Sequence, residues 1–279
     1  MKIINEEWLK ELTPGLDKRL GNTRHALFDF DGTLSVMREG WEGVMLPVML
    51  ESICGDRKVL PEVEDEVRDY IDSSTGILTI QQMEWLSTAV KRYGYVREPL
   101  SASQYKAIYL DRLMVRVRER IHMVQNGQIN PEKMILAGGK QFVEDLWNQG
   151  VTLYLASGTD HQNMVSEATV LHLAQYFNER VYGALDQNAE NGKERVIQRI
   201  LDENNLAGNE LLVVGDGPVE IREAKLRGAI TLGVASNEIA RSGWNPQKIQ
   251  RLTNAGVDLM VPDFSHHSEL ASLLCKNGA

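Results

Sequence analysis

The sequence predicts an α/β fold, in which a doubly wound, mostly parallel sheet carries a helical domain inserted after its first strand. Two observations support this prediction. Short apolar segments that end in polar residues alternate with stretches of helical periodicity along most of the chain. One interval of about a hundred residues instead shows helical periodicity without a convincing strand. The chain has 279 residues, 43% of them hydrophobic, which suffices for a substantial core and one or two domains.

Six short apolar segments predict the strands of the sheet. They are apolar on both faces, which is typical of parallel strands covered by helices on both sides. In chain order the segments are Ala26–Phe30, Val151–Ala156, Val181–Leu185, Leu211–Gly215, Ile230–Ala235 and Val257–Val261.

Stretches of helical periodicity lie between most of these segments, and such alternation predicts a doubly wound sheet. The stretches are Gly139–Asn148, Asp160–Tyr176, Lys193–Glu203 and Val219–Arg227. The C-terminal segment from Ser265 onwards predicts a short helix with a frayed end.

The interval from Val36 to Met134 predicts a separate helical domain. Its periodicity is interrupted by Gly and Pro, and the clearest helices span Pro61–Asp72, Ile80–Tyr93 and Ser101–Val124. Residues 1–35 and 135–279 would then form the α/β core, and residues 36–134 the inserted domain. We expect four arginines of the last helix to form a solvated face; these are Arg112, Arg116, Arg118 and Arg120.

The composition excludes several classes of function. The net charge of −9 argues against a sequence-independent nucleic-acid binder, which needs a basic face for the phosphate backbone. Cys54 and Cys275 are far apart and have no nearby His or Cys, so we expect reduced thiols and no disulfide framework or zinc site. Because no apolar segment of about 18 residues and no signal-peptide pattern occurs, we expect a cytoplasmic protein without a membrane partner. These features make no prediction of oligomeric state.

Polar residues stand at the carboxyl ends of three predicted strands. Asp29 and Asp31 close the first strand in ALFDFDGT. Ser157 follows the second in LYLASGT, and Asp216 follows the fourth in LLVVGDG. In open α/β sheets ligands bind beyond the carboxyl ends of the strands. We therefore expect these three motifs to converge on one site.

The first motif predicts a pair of catalytic carboxylates. Asp29 and Asp31 are two residues apart, so on an extended backbone both point to the same side, and Gly32 then allows a sharp turn. One carboxylate can attack phosphorus while the other transfers the proton of the leaving or attacking oxygen. The alternative is an acidic turn that caps the next helix. The apolar strand and the full D-x-D-G-T string favour the chemical interpretation.

Two further positions predict phosphate ligands. Ser157 and the amides of Gly158 and Thr159 form a donor cluster at a strand-to-helix junction, which suits phosphate oxygens. An ordinary N-cap serine is the alternative. Lys193 opens a predicted helix in NGKERVIQRI, where a lysine either contacts the phosphate or is only solvated.

Asp216 and Glu220 predict a site for a hard cation. They are four residues apart across a Gly-Pro turn into a helix, and carboxylate oxygens are the ligands that Mg²⁺ prefers. The alternative is a helix N-terminus whose dipole favours acidic residues.

These motifs, in this order and at these intervals, resemble the four motifs of the haloacid dehalogenase (HAD) superfamily. They are DFDGT at residues 29–33, the serine ending the next strand, the lysine opening a helix, and GD followed by a second acid. The resemblance covers roughly residues 20–35 and 135–265, which would form the superfamily's Rossmann-like core. The insertion after the first motif resembles its mobile helical cap of type C1.

The resemblance implies a role for each matched residue. Asp29 would be the nucleophile and Asp31 the general acid/base. The phosphate ligands would be Gly32, Thr33, Ser157, Gly158 and Lys193. The Mg²⁺ ligands would be the Asp29 carboxylate, the Asp31 backbone carbonyl, Asp216 and Glu220. Glu220 stands where the family commonly has Asp, so direct binding and binding through water are both open.

The function implied by the resemblance is Mg²⁺-dependent hydrolysis of a small phosphorylated metabolite, such as a sugar or short organic-acid phosphate, through an aspartyl-phosphate. Asp31 disfavours the dehalogenase branch, which does not use an aspartate there, and the phosphonate-cleaving branch, which also departs from this pattern. A phosphomutase would keep all these residues and is the first alternative. A catalytically silent phosphate-binding module is the second. Arg38 and Trp41 are candidates to face the substrate, whereas His161 either lines the site or lies on a helix surface.

Overall fold

The computed structural model describes residues 5–184 and 192–275, in which eight strands form one sheet. The strands are β1 (Asn5–Glu6), β2 (Leu9–Glu11), β3 (His25–Asp29), β4 (Thr152–Asp160), β5 (Val181–Ala184), β6 (Leu211–Gly215), β7 (Ile230–Val234) and β8 (Leu259–Val261). Their order across the sheet is β1-β2-β8-β7-β6-β3-β4-β5.

The parallel strands β3 to β8 form the body of the sheet, as the sequence predicts. β3 is buried throughout and lies between β4 and β6. The register sets Asp29 opposite Ala156, and Phe28 opposite Val214. The carboxyl ends of these three strands therefore lie side by side, which brings their motifs to one edge of the sheet. Leu185, the predicted end of the third strand, lies outside the described residues.

The two N-terminal strands form a hairpin that the sequence analysis did not predict. β1 and β2 pair antiparallel, and β2 continues the sheet by pairing antiparallel with β8. The segment is too short and too highly charged to show a strand pattern. Its position protects the edge of β8, which would otherwise present unpaired backbone groups.

The helices of the described residues are α1 (Glu42–Cys54), α2 (Pro61–Ser73), α3 (Thr79–Tyr93), α4 (Ala102–Gln125), α5 (Gly139–Asn148), α6 (His161–Val170), α7 (Ala174–Phe177), α8 (Lys193–Glu203), α9 (Pro218–Leu226), α10 (Pro246–Asn254) and α11 (His267–Leu274). In the chain as described, no helix combines length and apolarity to the degree that a bilayer crossing requires.

Helices cover both faces of the sheet, so the predicted doubly wound arrangement is confirmed. Successive residues of β3 point to opposite faces. Phe28 packs with Phe142 of α5 and Phe177 of α7 in one hydrophobic cluster. Leu27 packs with Ile197 of α8 in another. The buried strand thus contributes to both core layers.

Helices α1–α4, which we call the four-helix insertion, pack around a hydrophobic cluster of their own. Its buried members include Met49, Val67, Leu86 and Val117, one from each helix. No strand occurs between residues 36 and 134, as predicted. Each helix alone could not bury its apolar face, so the cluster is what stabilises the insertion. That residues 36–134 form an independent domain stays a prediction.

Two local features differ from the predictions. The helix predicted over residues 160–176 is divided into α6 and α7, and His172 between them has a positive φ of 56°. Arg112, Arg116 and Arg118 are exposed as predicted, but Arg120 is not part of a solvated face. Its guanidinium donates to the backbone carbonyls of the segment that leads into the insertion, those of Val36, Met37 and Glu39. Arg120 therefore anchors α4 to that segment.

Candidate active site

The predicted motifs meet at the carboxyl edge of the sheet. Asp29 is the last residue of β3, and Asp31 follows two residues later, before a turn at Gly32 with φ of 74°. Asp216 follows β6 directly, and Lys193 is the first residue of α8. Two alternative interpretations are excluded. The first motif is not an acidic turn that caps a helix, because no helix follows Gly32 directly. Lys193 is not merely solvated, because it is buried.

Asp29 and Lys193 form a buried ion pair. Lys193 Nζ lies 2.7 Å from Asp29 Oδ1 and 3.1 Å from Glu220 Oε2. Desolvation raises the pKa of Asp29 well above its usual range; Lys193 lowers it, while Glu220 and Asp216 raise it further. The ammonium group thus offsets part of the repulsion among these carboxylates. A cation in this position can also contact a phosphoryl group on Asp29.

Asp216 is held by cations on its other side. Lys248 Nζ lies 2.7 Å from Asp216 Oδ2, and Arg251 Nη2 lies 3.2 Å from the same oxygen. Burial alone would raise the pKa of Asp216, but Lys248 and Arg251 hold it below its ordinary value. Thr33 lies between the two aspartates, since its Oγ1 is 3.3 Å from Asp29 Oδ2 and 3.4 Å from Asp216 Oδ1.

Three carboxylates are arranged as a metal site would require. Oxygen atoms of Asp29, Asp216 and Glu220 all lie within 4.8 Å of one another, and all three residues are buried. Glu220 Oε1 accepts a hydrogen bond from the Gly217 amide, 2.8 Å, whereas Oε2 has only the ion pair with Lys193 at 3.1 Å. Buried carboxylate oxygens with free lone pairs are suitable ligands for a hard cation such as Mg²⁺. The residues present therefore fit the ion that the sequence analysis predicts.

Asp31 is separated from this cluster by its own hydrogen bonds. Ser157 Oγ and Thr159 Oγ1 each donate to Asp31 Oδ2, both at 2.9 Å. Ser157 lies within β4, where the register shifts between Ala156 and Asp160, and its Oγ accepts from the Thr159 amide at 3.0 Å. Ser157 is therefore not the N-cap of α6. Its hydroxyl orients Asp31 instead.

The four-helix insertion covers the site. The loop between α2 and α3, residues 74–78, contacts two glycines of the core so closely that neither has room for a side chain. A Cβ at Gly158 would collide with the carbonyl of Ile77, and one at Gly217 would lie 2.8 Å from Thr75 O. Thr79 Oγ1 also donates to Gly158 O at 3.4 Å. Across the site, Arg251 Nη1 lies 3.3 Å from Asp72 Oδ1 of α2.

A cavity lies between the core and the insertion. Core residues lining it are Asp29, Asp31, Ser157, Gly158, Thr159, Lys193 and Asp216. Residues from the insertion and the segment leading into it are Arg38, Trp41, Thr75, Gly76, Ile77, Thr79, Gln82 and Tyr109. Arg38 and Trp41, the candidates to face the substrate, thus line the cavity. His161, Gly32, Thr33 and Glu220 are not among the lining residues; Gly32, Thr33 and Glu220 lie buried behind the carboxylates.

Several residues that shape the site were not predicted. Lys248 and Arg251 belong to α10, and Glu238, 2.7 Å from Lys248, belongs to the loop before it. Glu167 of α6 lies 2.6 Å from Arg38 and is fully buried. A buried acid in an otherwise regular helix is a recognisable signal only when its partner is known, and here the partner is 129 residues away.

The chain matches the family model of haloacid dehalogenase-like hydrolases over residues 23–226. No curated protein matches it in sequence. It is similar to the structure of a predicted phosphatase from Clostridium acetobutylicum, with 17% identity, a TM-score of 0.58, and coverage of 90% of this chain and 99% of that chain.

Two further structures show the same likeness. One is a β-phosphoglucomutase from Clostridium difficile, with 13% identity, a TM-score of 0.57, and coverage of 88% of this chain and 92% of that chain. The other is a HAD family hydrolase from Deinococcus radiodurans with bound phosphate and sodium, with 16% identity, a TM-score of 0.51, and coverage of 91% and 98%. At these identities the likeness shows the fold. The family model, however, covers more than half of the sequence, and the chain therefore belongs to the haloacid dehalogenase-like hydrolases.

Proposed function

We propose that this hydrolase is a Mg²⁺-dependent phosphatase that acts on a small phosphomonoester through an aspartyl-phosphate on Asp29. One observation carries the proposal: Asp29 lies in contact with Lys193 and close to Asp216 and Glu220, while Asp31 is held apart by Ser157 and Thr159. A nucleophile, a cation, a metal site and a separate proton carrier are the groups that phosphoryl transfer to a carboxylate needs.

The three buried carboxylates, with the Asp31 backbone carbonyl that the resemblance adds, would hold Mg²⁺. The ion, when bound, supplies positive charge that draws the phosphate to Asp29 and stabilises the transition state. Asp29, Asp216 and Glu220 provide its oxygen ligands. Lys248 and Arg251 fix the position of the Asp216 carboxylate.

The chain's own residues account for both chemical steps. Asp29 attacks phosphorus, the bond to the ester oxygen breaks, and Asp31 gives a proton to that oxygen so that an alcohol leaves. In the second step Asp31 accepts a proton from water as the water attacks the phosphoryl group, which releases inorganic phosphate and restores Asp29. Lys193 offsets the repulsion between the attacking carboxylate and the phosphate dianion.

A sugar-phosphate mutase is the second candidate. The fold resembles that of a β-phosphoglucomutase, and the first chemical step would be the same. The two differ in what discharges the phosphoenzyme: water in a phosphatase, a hydroxyl of a sugar phosphate in a mutase. A silent binding module is disfavoured because no nucleophile, cation or metal carboxylate of the set is missing.

The test is a screen of phosphorylated metabolites with the purified protein, with free phosphate as the readout, in Mg²⁺ and in EDTA. We expect phosphate release from at least one small phosphomonoester in Mg²⁺ and none in EDTA. Failure to release phosphate from any compound, including the activated ester 4-nitrophenyl phosphate, would contradict the proposal.

A further inference from the structure

Four residues that line the cavity, all from the insertion or the segment leading into it, are not used by the proposed chemistry. They are Arg38, Trp41, Gln82 and Tyr109, and we call them together the leaving-group wall. Arg38 Nε lies 3.7 Å from Asp31 Oδ1, an oxygen that accepts no hydrogen bond from the residues described here. Because Asp31 would protonate the departing alcohol, the rest of that alcohol would lie against this wall.

Arg38 is buried, yet part of its guanidinium is available. Its side chain is only 6% exposed, and it is held by Glu167: Nε lies 3.2 Å from both carboxylate oxygens, and Nη2 donates to Oε1 at 2.6 Å. Nη2 also contacts Met114 Sδ at 3.8 Å. Nη1 has no hydrogen-bond partner in residues 5–184 and 192–275, and it is not among the polar atoms sealed within the protein. Its two hydrogens are therefore open to a group in the cavity.

Two neutral groups complete the wall. Tyr109 is 3% exposed, and its hydroxyl has no hydrogen-bond partner among the described residues. Burial raises the pKa of Tyr109, so the hydroxyl keeps its proton and can donate. Gln82 is 4% exposed and donates through Nε2 to Ser74 Oγ at 3.1 Å, which leaves its amide oxygen as an acceptor. Buried polar groups rarely lack hydrogen-bond partners, so we expect a bound ligand to provide the partners of these groups.

The charge of the wall restricts what that ligand is. Glu167 balances Arg38 in a bidentate pair, so the wall offers no unpaired positive charge. A carboxylate placed here would be desolvated beside one acid and a cation that is already paired, which is unfavourable. A hydroxyl or carbonyl oxygen can accept from Arg38 and Tyr109, and a hydroxyl can donate to Gln82, without adding charge.

We propose that the leaving-group wall recognises a neutral polyhydroxylated group, so that the substrate is a polyol or sugar phosphate and not a phosphorylated organic acid. Arg38 Nη1 and the Tyr109 hydroxyl donate to hydroxyl oxygens of the leaving group, and Trp41 packs beside it. This inference rests on the proposed phosphatase function and adds the substrate class to it.

The test compares pairs of substrates in which the carbon farthest from the phosphate is neutral in one member and a carboxylate in the other. The matched pairs are glycerol 3-phosphate with 3-phosphoglycerate, and glucose 6-phosphate with 6-phosphogluconate, each assayed for kcat/KM in Mg²⁺. We expect kcat/KM for the neutral member of at least one pair to exceed that for its carboxylate partner by about 10- to 100-fold. A site with charged or buried hydrogen-bonding groups discriminates strongly against a ligand that leaves them unpaired. Kd values for the same pairs, measured on the Asp29→Asn variant, should show the same preference without turnover.

Two variants assign the preference to the wall. Tyr109→Phe removes only the hydroxyl. It should lower kcat/KM for the favoured polyol phosphate more than that for 4-nitrophenyl phosphate, whose leaving group has no hydroxyl other than the ester oxygen itself. Glu167→Gln removes the charge that balances Arg38, so the preference for the neutral member should shrink at least about fivefold or reverse. If Glu167→Gln does not fold, the matched substrate pairs assayed on the wild type and the Tyr109→Phe variant still test the inference.

The outcomes separate this inference from the function on which it rests. If no neutral member exceeds its carboxylate partner in kcat/KM, the inference is wrong. It is also wrong if Glu167→Gln leaves the ratio within each pair unchanged and Tyr109→Phe lowers kcat/KM for the polyol phosphate no more than for 4-nitrophenyl phosphate. If the wild type releases phosphate from none of these compounds nor from 4-nitrophenyl phosphate, the phosphatase function itself is wrong.

Discussion

Lys193 shows how single residues make the proposed site possible. Its side chain is 4% exposed, and its ammonium group lies against the carboxylates of Asp29 and Glu220. An unpaired charge in such a place would be very unfavourable, and three acids without a cation would repel one another. Partly compensated carboxylates remain able to bind a divalent ion and a phosphate. The charged cluster can therefore exist without a ligand, and a bound divalent ion and phosphate stabilise it further.

Asp29→Asn is the direct test of the nucleophile. The amide is nearly isosteric but cannot form an acyl-phosphate, so we expect kcat to fall by at least about 10⁴-fold. The fold should persist, with a Tm within about 4 °C of the wild type. Phosphate release measures the first effect and thermal unfolding the second. As a positive control, fluoroberyllate with Mg²⁺ should raise the Tm of the wild type by mimicking the acyl-phosphate. Substantial turnover by purified Asp29→Asn would rule out the assignment.

The metal site is tested with Asp216 and Glu220. Asp216→Ala should be nearly inactive, because it removes a proposed ligand together with the carboxylate that Lys248 and Arg251 share. Glu220→Gln can keep the hydrogen bond from Gly217, so we expect mainly a rise of about tenfold in the Mg²⁺ concentration for half-maximal activity. Mg²⁺ should also raise the Tm of the wild type by mass action.

Glu238→Gln is the matched control for these variants. Glu238 contacts Lys248 but does not belong to the three-carboxylate cluster. Its loss should therefore change the Mg²⁺ requirement less than that of Glu220. Full activity of the metal-free wild type would contradict a metal-dependent mechanism, and equal, complete loss in Asp216→Ala and Glu220→Gln would make Glu220 a direct ligand or a structural requirement.

At the scale of elements, the sequence predicted what is periodic and missed what is short or irregular. The six parallel strands were recognised because continuous apolar runs mark buried strands. Helix α1 was missed, since Gly43 and Pro47 lie within it. Helix α10 was missed because only two of its nine residues, Ile249 and Leu252, are large and apolar. Because Lys248 belongs to α10, the cations that contact Asp216 could not be predicted either.

Contacts between distant elements were equally beyond the sequence. The Arg38–Glu167 pair joins the segment before α1 to α6, and nothing in either local pattern names the other. The same holds for Arg120, which was predicted as a solvated residue from helical spacing. In the fold its guanidinium reaches three backbone carbonyls of the chain entering the insertion. Motifs reveal the residues that do chemistry, but not those that hold them in place.

The contact of the insertion with β4 is testable through Gly158. A Cβ there would collide with Ile77 O and lie 3.0 Å from the Ile77 carbonyl carbon, so backbone atoms must move apart. We expect Gly158→Ala to lower kcat/KM by roughly 10- to 100-fold, because the insertion can no longer close in register. Steady-state phosphate release measures this. Stabilisation by fluoroberyllate and Mg²⁺ should persist, since the groups of the core are intact.

Gly43→Ala is the control for that variant. Gly43 lies in α1 with open space around its Cα, so alanine should leave activity unchanged and raise helix stability by up to about 1 kcal/mol. If Gly158→Ala has wild-type kcat/KM, close contact between residues 74–78 and β4 is not required for turnover.

In the molecule as a whole, the site lies between the core and the four-helix insertion, which share apolar contacts at Ile121 and Val124 of α4. The core has its own hydrophobic clusters on both sides of the sheet, and the four-helix insertion has another. Polar and backbone contacts join them around the cavity, among them Lys106 with Asp160, Arg251 with Asp72, and Thr79 with Gly158. Such contacts can break and re-form at lower cost than a hydrophobic core. We propose that the insertion opens for substrate and excludes bulk water when closed.

Whether the closed molecule admits one water or a second hydroxyl decides between phosphatase and mutase. Phosphorylated enzyme should be prepared with a small acyl-phosphate donor in Mg²⁺ and then chased in buffer, with and without glucose 6-phosphate. We expect the phosphoenzyme to discharge to inorganic phosphate within seconds in buffer alone, at a rate that the acceptor hardly changes, because Asp31 can take the proton of the attacking water. Asp31→Asn is the matched control: it should still accept the phosphoryl group from the activated donor but should discharge at least about 100-fold more slowly. A phosphoenzyme that persists for many minutes in buffer and collapses only when the hexose phosphate is added would establish the mutase instead.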